Sequence, residues 1–72
     1  MRRPAPGDLV RFLKVPEQRK WVRDLAGQVG LVVEAYSESD SYGAFTRYAV
    51  AIGGNLHRGI HYLDLEVVNG QQ

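Results

Sequence analysis

The chain has 72 residues, 44% hydrophobic, 24% charged and 10% aromatic, with no cysteine and a formal net charge of +1. One small core is all that such a length supports, burying about 60% of the extended-chain surface, and the composition is that of a globular domain. Disulfide staples, thiolate zinc sites and cysteine nucleophiles are excluded, and no apolar run approaches the ~20 residues of a membrane-spanning helix.

Residues 1–6 read as an extended N-terminal arm, because Pro4 and Pro6 favour neither helix nor ladder. Arg2-Arg3 lead into these prolines and Asp8, not into the apolar stretch of a signal peptide, and the lack of cysteine fits an expected reducing, intracellular site of synthesis. After the Gly7-Asp8 turn, residues 9–14 form a first strand, apolar on both faces. Residues 15–26 fit either a short helix opening at Pro16 or a long loop with one helical turn, and the loop is favoured.

Residues 28–36 alternate with period two, which predicts a strand burying Val29, Leu31 and Val33. Residues 37–43 read as a mobile polar loop. A third strand over 45–52 places Thr46, Tyr48, Val50 and Ile52 on one face. Gly53-Gly54-Asn55 forms a hairpin turn, since glycine and asparagine accept positive φ. Residues 56–61 return as a fourth strand, Tyr62-Leu63-Asp64 make a 3₁₀ turn, 65–68 close as a short strand, and 69–72 are a flexible tail. Strands this short at hairpin spacing point to an all-β domain over 7–68, a small closed or nearly closed barrel of about five strands. Its expected core is Val10, Phe12, Val29, Leu31, Val33, Val50, Ile52, Ile60, Leu65 and Val67.

The segments Gly7-Asp8-Leu9-Val10-Arg11-Phe12 and Gly27-Gln28-Val29-Gly30-Leu31-Val32-Val33-Glu34 resemble those of SH3-like barrels, including the KOW module of transcription and ribosomal proteins. Tyr48-Ala49-Val50-Ala51-Ile52 and His61-Tyr62-Leu63-Asp64-Leu65-Glu66-Val67-Val68 are similar to the last hairpin, 3₁₀ turn and final strand of such barrels. Small stand-alone chains of this look are frequent among bacteriophage-encoded proteins. The resemblance implies a binding module, such as an accessory or virion-associated protein acting in host cytoplasm or virion. Two departures are plain: Asp24 and Glu34 flank the glycine-containing hairpin where a KOW module is basic, and the first strand lacks the contiguous aromatic pair of peptide-binding SH3 domains.

No catalytic constellation is legible and no cofactor or small-molecule substrate is implied, so the chain reads as non-enzymatic. His57 and His61 share a strand face on simple alternation, but a metal site needs a third ligand. Charge is split: residues 1–23 hold seven cations against two anions (+5), and residues 24–72 two cations against six anions (−4). Such asymmetry attracts an acidic partner or a second copy. The candidate partner-binding residues are Arg2 and Arg3 on the arm, Arg11, then Arg19, Lys20, Trp21 and Arg23, whose cations and aromatic suit a polyanion or a protein. Trp21 serves equally as a lid on the barrel mouth. Tyr36 and Tyr42, beside the acidic Glu38/Asp40 loop, are the expected surface tyrosines, whereas Tyr48 and Tyr62 pack. A protein-interaction or self-assembling module is the leading expectation. The alternative is nucleic-acid binding through Arg11, Lys14, Arg19, Lys20, Trp21 and Arg23.

Overall fold

In a computed structural model that describes residues 3–68, the period-two segments form one antiparallel sheet. The elements are β1 (Leu9–Phe12), α1 (Lys20–Arg23), β2 (Val29–Asp40), β3 (Gly43–Ile52), β4 (Asn55–Ile60), a 3₁₀ turn (Tyr62–Asp64) and β5 (Leu65–Val67). Strand order is β4-β3-β2-β1-β5. The fold is therefore all-β, as the alternation predicts, but the sheet is not closed. β5 has three residues and, among the described residues, pairs only with β1; the 3₁₀ turn stands between it and β4. The interval between β1 and β2 is a long loop with a single helical turn, the arrangement favoured from sequence.

The expected polar loop over 37–43 is instead part of a long ribbon. Ser37, Glu38, Ser39 and Asp40 pair with Thr46, Phe45, Ala44 and Gly43, leaving only Ser41 and Tyr42 in the turn. Backbone pairing satisfies the peptide groups of these polar residues, so a strand needs no apolar face here. The Tyr42 N–H adds a bond to Asp40 Oδ1 at 2.7 Å.

Val10, Phe12, Val22, Val32, Tyr48, Val50, Ile60 and Leu65 form the core, with Ile52 and Val67 packed against it. Three of the expected core residues, Val29, Leu31 and Val33, face outward, and Gly30 and Val32 face inward. The reason lies at Gly30. A Cβ there would lie 2.6 Å from the Ala51 carbonyl oxygen and 2.8 Å from Val50 Cγ1. β2 and β3 approach so closely at this point that only glycine fits inside, so the less apolar face of β2 turns inward. The sheet then bends at Ala49. Val33 is an extra residue on β2 between Val32 and Glu34, and Arg58-Gly59 oppose Ala49 alone on β4. Two bulges on either side of one small residue concentrate curvature there.

Residues 3–6, part of the extended arm expected over 1–6, lie against the domain. Pro4 is buried, the Gly7 N–H donates to the Val32 carbonyl at 2.9 Å, and the Ala5 N–H donates to Asp8 Oδ2 at 2.9 Å. Residues 1–2 and 69–72, including Arg2 and the expected tail, lie outside the described residues.

Candidate functional site

The curvature at Ala49 organises two surfaces. On the outer face, Leu9 pairs with Leu31, Leu31 with Ala51, and Ala51 with Leu56. Cross-strand partners share a face, so three leucines on three strands stand in one row, and each is at least 42% exposed. Val29 and Val33 widen the row along β2. Ion pairs border it: Arg11 Nη1 to Glu66 Oε1 at 3.3 Å, and Arg58 Nη1 to Glu34 Oε1 at 3.2 Å. Both pairs are half exposed and net neutral, so the rim carries no sign that would favour a polyanion.

The second surface runs over β4. Gly59, at φ +79°, leaves the regular ladder at the bulge. Its N–H donates to the Tyr36 hydroxyl at 2.8 Å, and its carbonyl accepts from Arg19 Nη2. The Arg58 guanidinium covers the Tyr36 ring at 4.7 Å, and that of Arg19 covers the Trp21 ring at 5.0 Å. Beside this strip, Val15, Pro16, Glu17, Gln18, Arg19, Arg47, His61, Leu63 and Asp64 line a cleft of about 290 Å³. Its floor is held by Gln18, which donates to Asp64 Oδ1 at 2.9 Å and to the Leu13 carbonyl at 2.8 Å. Asp64 Oδ2 accepts from the His61 N–H at 3.2 Å, so the buried carboxylate is satisfied from both sides. His61 Nδ1, also buried, has no hydrogen-bond partner.

The structure thus separates the residues singled out from sequence. Lys20, Trp21 and Arg23 share the α1 turn and Arg19 directly precedes it, with Trp21 42% exposed and its neighbour Val22 supplying the packed side chain instead. Lys20 pairs with Asp24 at 3.3 Å, and Arg23 Nη2 donates to the Val15 carbonyl at 3.5 Å. Arg11 is on β1 against Glu66, and Arg3 lies over the Tyr62 ring at 4.2 Å. Tyr36 is not presented as expected: it is half buried, its hydroxyl and ring face both engaged. Tyr42 is presented, 96% exposed at the ribbon tip. Tyr48 is buried and Tyr62 half buried, as their expected packing requires.

His57 and His61 do not share a face. The extra residue at Arg58-Gly59 brings Ile60, not His61, into phase with the inward His57 position opposite Val50. Among the described residues no group of three His, Asp or Glu is placed to hold a metal ion. No helix among them is long and apolar enough to cross a membrane. Sequence reasoning missed the leucine row and Gly59. Their available signals were the doubly apolar β2 and a glycine inside a strand pattern.

Compared with known proteins, the chain matches no family model, no curated protein and no solved structure.

Proposed function

We propose that the chain is a non-catalytic protein-interaction module built as an SH3-like barrel, whose outer sheet face docks an apolar strip of a protein partner. The strand order, the long segment between β1 and β2, and the 3₁₀ turn directly before the last strand support the SH3-like build. One observation carries the docking function: Leu9, Leu31 and Leu56 stand exposed in a single cross-strand row. Contiguous exposed apolar surface on a small domain marks an interaction site. The neutral ion pairs on its rim select a protein surface over nucleic acid or an anionic membrane. The alternative basic site draws less support, because Arg11 and Lys20 already face Glu66 and Asp24.

A photoactivatable cross-linker at position 31, in cells expressing the chain, tests this. A discrete protein adduct that Leu56→Lys removes is expected. A nucleic-acid adduct, or no adduct beyond that of the same probe at position 54, would overturn it.

A further inference from the structure

We propose that copies of this chain also associate head to tail, the Tyr42 tip of one ribbon seating in the cleft beside the 3₁₀ turn of the next. Three independent features meet in this contact. Tyr42 is 96% exposed at the turn of a two-stranded ribbon, and large aromatics presented in this way are the residues that anchor interfaces. The cleft has the right walls for a phenol: Val15, Pro16 and Leu63 supply apolar surface, and Arg19 and Arg47 supply guanidinium groups for a ring face. Arg47 covers the Phe45 ring at 4.6 Å and pairs with Glu38 at 3.6 Å, and Arg19 covers the Trp21 ring and donates to the Gly59 carbonyl, so an incoming phenol would add to cation–aromatic pairs already formed.

Charge matches as well. The loop and helical turn over residues 13–28 hold Lys14, Arg19, Lys20 and Arg23 against Glu17 and Asp24, a net +2. The ribbon over residues 34–47 holds Glu34, Glu38 and Asp40; Arg58 pairs with Glu34 at 3.2 Å and Arg47 with Glu38 at 3.6 Å, which leaves Asp40, beside Tyr42, to carry a negative charge at the tip. The split in charge along the sequence therefore becomes two complementary surfaces. The lining itself holds Arg19 and Arg47 against Glu17 and Asp64, the last held by the Gln18 side chain and the His61 backbone, so the excess of cations lies in the flanking loop.

A second copy is the occupant because the ribbon cannot serve its own cleft. Arg47 lies on the cleft wall, and Tyr42 stands in the ribbon turn five positions before it, about 17 Å away at ~3.4 Å per residue. The contact joins two different patches, so it is heterologous and propagates into a ring or a filament. It shares no residue with the leucine row, which makes the two sites separately testable.

Sedimentation velocity over a concentration series, at low and high salt, decides the matter. Wild-type chain should associate with rising concentration and do so less at high salt. Tyr42→Ser and Leu63→Glu, both at exposed positions, should each keep the wild-type melting curve and lose association by about tenfold or more. Mixed one to one, they should yield a dimer and nothing larger, since one variant keeps its cleft and the other its ribbon. Leu31→Lys should assemble like the wild type. A monomeric wild type, a Tyr42→Ser chain that assembles normally, or a mixture that stays monomeric would each overturn the proposal. So would loss of assembly in Leu31→Lys, which would assign self-association to the leucine row.

Discussion

Arg19 and Tyr36 meet at one residue: the first donates to the carbonyl of Gly59, and the hydroxyl of the second accepts from its N–H. A bulge removes Gly59 from regular pairing, and these two side chains replace the strand partner it lost. They also tie the α1 turn and β2 to the sheet edge. Removing the Tyr36 hydroxyl in Tyr36→Phe should cost about 0.5–1.5 kcal/mol in urea unfolding. Gly59→Ala should cost about 1–2 kcal/mol, because a Cβ is unfavourable at φ +79°. In a double-mutant cycle with Arg19→Ala, Tyr36→Phe should show non-additive losses. Strict additivity would mean that the two bonds do not support one another.

The close approach of β2 and β3 makes a sharper demand. Gly30→Ala places a methyl 2.6 Å from a backbone oxygen that belongs to a paired strand and cannot swing away. Overpacking of this kind costs about 1–3 kcal/mol, and backbone against backbone puts Gly30 at the upper end. Gly54→Ala is the control, since nothing lies within 4 Å of its Cβ position, and it should stay within about 0.5 kcal/mol of wild type. Equal melting temperatures for the two variants would refute the packing account of why β2 turns Gly30 inward.

Glu17 is the one described non-glycine residue at positive φ, +60°. It follows Pro16 in the turn that leads into Gln18, in the left-handed region that ordinarily takes glycine. Glu17→Gly should therefore stabilise the domain by about 0.5–1 kcal/mol, the relief of strain exceeding the added chain entropy. Thermal unfolding of the variant checks this, and a lower melting point would show that the Glu17 side chain does more for the turn than its backbone costs.

Much of the fold was legible because alternation and turn chemistry are local. The Gly53-Gly54 turn, the Tyr62–Asp64 3₁₀ turn and the inward set Tyr48, Val50 and Ile52 all follow from neighbours in sequence. What was not legible depends on the opposite strand. Periodicity assigns β2 its more apolar face, yet the clearance at Gly30 is set by Val50, Ala51 and Ile52. Likewise the phase of His57 and His61 is broken by a bulge opposite Ala49 of β3, visible only once the strands are paired. The site suffered most. Alternation along one strand puts Leu31 in the core and Tyr36 on the surface, whereas the opposite strands put them the other way.

That inversion leads to the prediction on which the outer face depends. If Leu31 and Leu56 serve an interface and not the core, exchanging them for lysine should leave the isolated domain almost untouched. Each is roughly half exposed, and the ladder bonds of β2 and β4 use the backbone, not these side chains. The Leu31→Lys and Leu56→Lys variants should unfold within about 0.5 kcal/mol of wild type. Val32→Ala, one residue along but inside, should cost about 2 kcal/mol, from lost methyl burial and the cavity left behind. Solubility should rise with each lysine, since the exposed row is apolar surface that water now meets. Should Leu31→Lys unfold the domain as readily as Val32→Ala, the row belongs to the core of this small sheet, and both the inverted register of β2 and the docking function built on it fail together.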